Sequence, residues 1–354
     1  MNAQPASSSP FGGRKFRVVQ WATGNVGTRS LRAVIEHPHY TLVGLYVHSP
    51  SKVGKDAGEF CGLGPVGIKA TNEIDDILAL KADCVLYMQQ GHNVDDVCRI
   101  LASGTNIVST VPDFHHPDFI EPAARQRIEE ACRQGNSSIH CAGSSPGFIT
   151  ESLPIVLSSL ERRLDLVTID EYADVSSRNS PEMLFEVMRF GKPPFKFDER
   201  SLEHVRRHYA GSLAALADSL SIPLESFEAM GEAGITRSET RIAAGVVPKG
   251  TLGAQRITIT GMRKGKPTLR FRANWYVMRD VDPSLDLRET GWRVMVEGDT
   301  PLKVDITFPV PLEKWAAFTP GLTAHPAVNA VPYVCAAPPG IRSGGDLRVI
   351  PQFA

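Results

Sequence analysis

The sequence is short of several things, and each shortage narrows what the chain can be. It has no excess charge of one sign: 38 Lys and Arg stand against 39 Asp and Glu, a formal net charge of −1. Phosphate backbones need a cationic face, so a nucleic-acid partner is not expected. No apolar run approaches the ~20 residues of a membrane span, and no membrane association is expected. The first residues, Met1 to Gly13, are polar and rich in Ser, Pro and Gly, without the apolar stretch of a signal peptide. Residues 1–14 therefore read as a flexible tail, and the protein as cytoplasmic. Only six cysteines occur (Cys61, Cys84, Cys98, Cys132, Cys141 and Cys335), and no two form a C-x-x-C pair. A chain this long needs no disulfide staples, so free thiols are expected. No G-x-S-x-G elbow is present, so the Ser nucleophile of an α/β-hydrolase is not supported.

What is present is ordinary globular material, 42% hydrophobic and 22% charged over 354 residues. At roughly 150 residues per domain, that length suggests about two domains. From Phe16 to about Gly143, short apolar runs alternate with amphipathic stretches. Strands are predicted at Phe16–Trp21, Thr41–Val47, Val66–Ala70, Asp83–Met88, Asn106–Thr110 and Ser138–Cys141. Helices are predicted at Thr28–Glu36, Asn72–Leu80, Val94–Ala102 and Ile120–Gln134. This alternation argues for a Rossmann-type, doubly wound parallel sheet covered by helices on both faces. After Gly143 the texture changes. A helix is predicted over Ile149–Leu160, a long strand over Leu164–Val175 and a strong helix over Ser201–Leu220. Further strands follow at Gln255–Met262, Thr268–Met278, Trp292–Glu297 and Leu302–Phe308, with a turn at Lys264-Gly265-Lys266. The expected architecture is α/β, with a dinucleotide-binding domain over 15–145. A second α+β domain over 146–322, on an open, mostly antiparallel sheet, would bind substrate and dimerise. A C-terminal segment, 323–354, with a possible helix, would return to the first domain.

The first strand runs into Ala22-Thr23-Gly24-Asn25-Val26-Gly27 and then a helix. This is G-x-G-x-x-G with Ala22 at the first glycine. At Gly24 a side chain would block a pyrophosphate, and at Gly27 it would hold the helix off the strand. The helix start offers free N–H groups and a favourable dipole to phosphates. Thr23, Gly24, Asn25, Val26 and Gly27 are therefore expected to hold the cofactor. An NAD site usually carries an acid about 20 residues on. Here no Asp or Glu occurs from His37 to Lys55, and His48, Ser49, Ser51, Lys52 and Lys55 stand in that window. Hydroxyls and cations suit a 2′-phosphate, so NADP is favoured over NAD. The predicted fourth and fifth strands end at Gln89-Gln90 and Thr110, which places these three near the nicotinamide path.

Hydride transfer to C=O or C=N also needs a proton donor. Asp113, His115 and His116 follow a strand end, with Asp113 and His115 the leading candidates, and Tyr172 on a second-domain strand is a phenolic candidate. The two histidines lack further ligands at metal spacing, so no metal site is expected.

Several segments together resemble the dihydrodipicolinate-reductase-like family that includes 2,4-diaminopentanoate dehydrogenase and the native amine dehydrogenases. These are Val18 to Gly27, His48 to Glu59, Gly143-Ser144-Ser145-Pro146-Gly147-Phe148, and Val328-Asn329-Ala330-Val331-Pro332 with Pro338-Pro339-Gly340-Ile341. The resemblance implies a homodimer that reduces a small or medium ketone or imine, or oxidises an amine, with NAD(P)(H). It implies that Asn329 bonds the nicotinamide amide. One departure stands out. Amine dehydrogenases of the family carry a glutamate after the fifth strand, in a segment like S-T-C-E-E; here the segment is Ser109-Thr110-Val111-Pro112-Asp113. Two alternatives stay open: a true amine dehydrogenase using ammonia, and a non-catalytic NADP-binding sensor.

Overall fold

The computed structural model describes residues 14–347 and 349–351. Most of the expected tail, residues 1–13, lies outside the described residues. In chain order the first elements are β1 (Phe16–Trp21), α1 (Asn25–Glu36), β2 (Tyr40–Tyr46), α2 (Ala57–Phe60), β3 (Ala70–Thr71) and α3 (Ile74–Ala79). Next come β4 (Cys84–Tyr87), α4 (Val94–Ala102), β5 (Asn106–Ser109), α5 (Pro122–Gly135), β6 (Ser138–Cys141) and α6 (Leu153–Ser158). Then follow β7 (Leu164–Asp174), α7 (Glu199–Ser219), β8 (Ser226–Thr236), β9 (Thr240–Ile242), β10 (Gly245–Val247) and β11 (Leu252–Arg263). The chain closes with β12 (Lys266–Tyr276), β13 (Val281–Asp282), β14 (Gly291–Gly298), β15 (Leu302–Thr307), α8 (Trp315–Ala336) and β16 (Gly340–Arg342). Two compact units result. One comprises the residues up to Phe148 together with those from Pro320 onward; the other is Ile149–Thr319.

The first unit holds a seven-stranded sheet in the order β16-β6-β5-β4-β1-β2-β3, parallel throughout. The chain starts in the middle, winds to one edge through β2 and β3, then returns past β1 to build the other edge from β4. The order therefore reverses between β1 and β4, where open α/β sheets form their ligand crevice. The central strands are apolar on both faces because helices cover both. Val19 and Trp21 pack with Val85, Tyr87, Ile100 and Ile128 on one face. Phe16 and Val18 pack with Val34, Leu86, Val328 and Val331 on the other. Each such fully buried aliphatic side chain contributes about 1.5–3 kcal/mol.

Strand β3 is shorter and later than the expected Val66–Ala70, being confined to Ala70–Thr71 beside Leu45 and Tyr46. The C-terminal segment forms a 22-residue helix, α8, that contains Pro320, Pro326 and Pro332. Each interior proline removes a helix hydrogen bond. The helix persists because Ala324, Ala327, Val328, Ala330, Val331 and Val334 are all buried. Burial overrides local propensity here.

The second unit carries the sheet β13-β8-β11-β12-β7-β14-β15. Only β12 and β7 run parallel; every other neighbouring pair is antiparallel. Lys264 and Gly265, at φ 51° and 68°, form the tight turn between β11 and β12. The sequence reading missed β8, whose Ser-Phe-Glu-Ala-Met-Gly-Glu-Ala-Gly run is poor in β-branched residues. Pairing along β11 from Met262↔Ser226 to Leu252↔Ile235 supplies the order that propensity lacks.

A buried carboxylate fixes the loop after β2. Asp56 is 1% exposed and accepts the N–H groups of Gly58, Val66 and Gly67 at 3.0, 2.8 and 2.9 Å. The Val66 hydrogen bond is the largest influence holding its carboxyl below the usual range, with Gly58, Gly67 and Lys69 adding to it. A depressed carboxylate stabilises the fold fully above its unfolded pKa, and that stability is lost as pH falls through the folded pKa. Asp56→Ala should therefore lower Tm at pH 7. The gap from the parent should close as pH drops below about 4, measured by thermal melts across pH; a constant gap refutes this account.

Candidate functional site

The site begins at the turn between β1 and α1. Gly27 lies against that turn: a Cβ there would stand 2.3 Å from the Ala22 carbonyl oxygen. At Gly24 a Cβ would meet nothing within 4 Å, so open space faces the turn. Ala22 takes the left-handed conformation at φ 73°, the geometry for which the first glycine of the motif is suited. For a residue with a Cβ this costs about 1–2 kcal/mol.

The start of α1 differs from the other helix starts around it. Asp56, Asn93 and Glu121 cap α2, α4 and α5 with their side chains, and α3 has Asp75 and Asp76 in its first turn. Helix α1 has neither a side-chain cap nor an acid in its first turn. Its orphan N–H groups and positive dipole end are thus left for an external anion. Thr23 is half-buried, while Gly24 and Asn25 are exposed at this end. The residues fit a pyrophosphate.

The loop after β2 lies beside this turn. Lys52 Nζ donates to Thr23 Oγ1 at 2.9 Å, so its ammonium sits at the turn between β1 and α1. Ser49 Oγ and Ser51 Oγ are 2.9 Å apart. The His48 ring meets Trp21 and Tyr46 edge-on at 6.4 and 5.2 Å. The structure thus gathers Thr23, Gly24, His48, Ser49, Ser51 and Lys52 at one end of the sheet.

An aromatic stack supports that end. Trp21, fully buried, stacks on Tyr46 at 3.6 Å between centroids and on Tyr87 at 5.6 Å. These three residues end β1, β2 and β4. Burial pushes the Tyr87 phenol up to about 12, and its hydroxyl oxygen accepts the Asn93 N–H at 3.1 Å. Gln89 is tied into the stack, its Oε1 accepting the Trp21 indole N–H at 2.8 Å. Gln90 is exposed. Thr110 is half-buried, and its N–H donates to the Tyr87 carbonyl at 3.3 Å.

Beyond β5, Asp113 faces His92, with Oδ2 3.3 Å from Nδ1. His92 is not among the residues expected from the sequence; its only signal there is its place after Gly91, just beyond β4. His115 is 2% exposed, and a Cβ on Gly147 would lie 3.8 Å from its Cε1. His116 Nδ1 accepts the Asp118 N–H at 3.2 Å and so caps the next turn. Asn329 is half-buried on α8, between the buried Val328 and Ala330. That helix passes the carboxyl end of the sheet at Thr323, whose Oγ1 lies 3.3 Å from Ser144 Oγ.

Tyr172 belongs to the second unit. It is 5% exposed, and its hydroxyl donates to Asp170 Oδ2 at 3.2 Å. Asp170 is itself paired with the Arg272 guanidinium, Nη2 to Oδ2 at 2.7 Å. Burial first, and then the Asp170 charge, raise the Tyr172 pKa. The carboxylate therefore holds the phenolic proton in place. Among the described residues, no group of three or more His, Cys, Asp or Glu could hold a metal ion. No helix of the described residues is long and apolar enough to cross a membrane.

Comparison with known proteins accords with this geometry. The family model for the dihydrodipicolinate reductase N-terminus matches residues 18–133. The model for the 2,4-diaminopentanoate dehydrogenase C-terminal domain matches residues 199–353. An amine dehydrogenase of Streptomyces virginiae is 27% identical over 349 residues, 95% of this chain and 97% of that one. The N-terminal part of the chain is thus similar to dihydrodipicolinate reductases and its C-terminal part to 2,4-diaminopentanoate dehydrogenase. The chain is an NAD(P)-dependent oxidoreductase. A 4-hydroxy-tetrahydrodipicolinate reductase of Synechococcus elongatus is 32% identical over 116 residues, 33% of this chain and 35% of that one. The solved amine dehydrogenase of Mycobacterium smegmatis shares the fold at a TM-score of 0.75 and 19% identity, over 95% of this chain and 97% of its own.

The two glycines of the turn should separate folding from binding. Gly27→Ala forces a Cβ into the Ala22 carbonyl and should cost about 1–3 kcal/mol of stability. Gly24→Ala meets no atom, so Tm should hold, while nicotinamide nucleotide affinity falls by about tenfold or more. Calorimetric titration and thermal melts of both variants check this; unchanged affinity in Gly24→Ala would remove the turn as the phosphate site.

Proposed function

We propose that this oxidoreductase uses NADP(H) to interconvert a small or medium ketone or imine with its reduced product. The observation that carries the reading is the meeting of an uncapped helix start, an open Gly24 and the Lys52 ammonium 2.9 Å from Thr23. An ammonium there attracts a 2′-phosphate, and the acid that usually binds a free 2′-hydroxyl is missing from 37–55. Thr23, Gly24, Asn25, Val26 and Gly27 would hold the pyrophosphate. His48, Ser49, Ser51 and Lys52 would hold the adenosine phosphate. Gln89, Gln90, Thr110 and Asn329 would orient the nicotinamide. The bound nicotinamide supplies or accepts the hydride.

What remains for the protein is the proton. Reduction of a carbonyl leaves an oxyanion that must be protonated, and the reverse reaction needs the same group as a base. The Asp113–His92 pair, 3.3 Å apart, would do both, because a carboxylate and an imidazole can each give and take a proton. His115 stands beside the Gly147 turn as the second candidate. Tyr172, its proton engaged by Asp170, serves this reading as a sheet residue. We also propose a cytoplasmic homodimer, on the strength of the resemblance alone.

A second reading, reductive amination with ammonia, is favoured by the likeness to the Streptomyces amine dehydrogenase along nearly the whole chain. Against it stands Pro112-Asp113 in place of the glutamates in that family's segment. Asp113 reaches less far than a glutamate, and Pro112 carries no ionisable group.

Lys52→Ala should weaken NADP binding by about tenfold or more, as befits loss of a charge-assisted hydrogen bond, and leave NAD binding nearly unchanged. Equal losses for both would assign Lys52 to the pyrophosphate turn instead. With a ketone panel, Asp113→Asn should lower kcat by about a hundredfold or more while the NADP Kd stays within about twofold. Full turnover in Asp113→Asn and in His115→Ala would end the proton-donor assignment. NADPH oxidation with ketone alone supports the first reading, and strict dependence on ammonia supports the second. No oxidation with any substrate, despite tight NADP binding, would identify a sensor.

A further inference from the structure

The turn that approaches the cofactor contains a residue in the wrong conformation for its type. Ala22 sits at φ 73° with a Cβ and no polar group to stabilise the left-handed geometry itself. Something else must hold it, and the neighbouring side chain on β1 does. Gln20 is fully buried. Its amide nitrogen donates to the Trp21 carbonyl at 3.1 Å and to the Ala22 carbonyl at 3.0 Å. These are the carbonyls on either side of the left-handed residue. Two hydrogen bonds from one rigid amide fix the directions of both peptide planes, and with them the ψ of Trp21 and the φ and ψ of Ala22.

The same amide also faces the helix. A Cβ on Gly27 would lie 3.2 Å from Gln20 Nε2 and 2.3 Å from the Ala22 oxygen. Strand, turn and helix therefore converge on one nitrogen. The amide can point only one way, since turning it over would set its oxygen against two carbonyl oxygens. That orientation leaves Gln20 Oε1 buried without a hydrogen-bond partner among the described residues. An unsatisfied buried acceptor is unfavourable, so the clamp persists against a local cost.

We infer that Gln20 is a positioning residue for the dinucleotide loop: its amide clamps the carbonyls of Trp21 and Ala22, and thereby lets an alanine occupy the position that the motif reserves for glycine. The inference rests on the reading of this turn as the cofactor's phosphate site. It commits to an interaction between two positions, Gln20 and Ala22, that neither residue type reveals alone. Where residue 22 is glycine, the left-handed geometry needs no clamp, and the demand for Gln20 disappears.

The test is a double-mutant cycle on the whole chain. The variants are Gln20→Met, which keeps the volume and loses the donor, Ala22→Gly, and the two combined. Each is followed by Tm without cofactor and by the calorimetric Kd for NADP+, with NAD+ in parallel. Gln20→Met alone should lower Tm and weaken nucleotide binding by at least about tenfold. Ala22→Gly alone should bind within about twofold of the parent. The combined variant should recover most of the lost affinity and of the lost Tm. Equal losses from Gln20→Met in both backgrounds would overturn the inference, as would no loss in either. If Gln20→Met alone does not fold, recovery of a cooperative melt by Ala22→Gly supports the clamp, and continued failure overturns it. A parent chain that binds neither nucleotide would defeat the phosphate-site reading instead; the Tm cycle would still judge the clamp.

Discussion

The approach of α1 to β1 across one carbonyl governs much of the first unit. Gly27 lies so close to the Ala22 oxygen that no other residue fits. That distance brings the first turn of α1 over the end of β1, where its free N–H groups face outward. It also lets Leu31 and Val34 of the same helix reach full burial against the sheet. Were the helix an ångström further out, these apolar contacts would be lost and its N–H groups would leave the end of β1. That single close approach is why the last glycine of the motif admits no side chain.

Much of this was legible in the sequence, and for a physical reason. Helices on both faces force the central strands to be apolar throughout, so Val18 to Trp21 and Cys84 to Tyr87 stand out as short apolar runs. The left-out cap at Gly24 and the absence of acids after Tyr46 could also be read directly. Other features could not. The Asp113–His92 pair joins the ends of two strands adjacent in space and 21 positions apart in sequence. The β8 strand is specified by its partner β11 rather than by its own residues. Helix α8 carries three prolines that argue locally against it, and only the buried alanines and valines along it decide the matter. Gln20 was invisible as a functional residue because a buried glutamine in a strand has no signature; its meaning lies in two backbone carbonyls.

The proposed chemistry sits apart from this scaffold. The stack of Trp21, Tyr46 and Tyr87 makes the floor of the crevice rigid, since each ring is braced by its neighbour and Gln89 and Asn93 hold two of the polar tips. Asp113 and His92 are half-buried above less regular backbone. An unyielding floor next to a variable rim is how one fold serves several substrates. Pro112 and Asp113 fall on that rim.

Strand β16 adds itself to the edge of the first sheet at β6, and α8 covers one of its faces, although both are encoded after the whole of Ile149–Thr319. During synthesis, then, the first unit leaves the ribosome with a bare edge at β6 and an uncovered apolar face around Phe16, Val18, Leu86 and Val108. It waits in that state while the intervening unit is translated. The segment after Thr319 closes the unit that precedes Ile149, so truncation within that segment damages the first unit before it touches the other one.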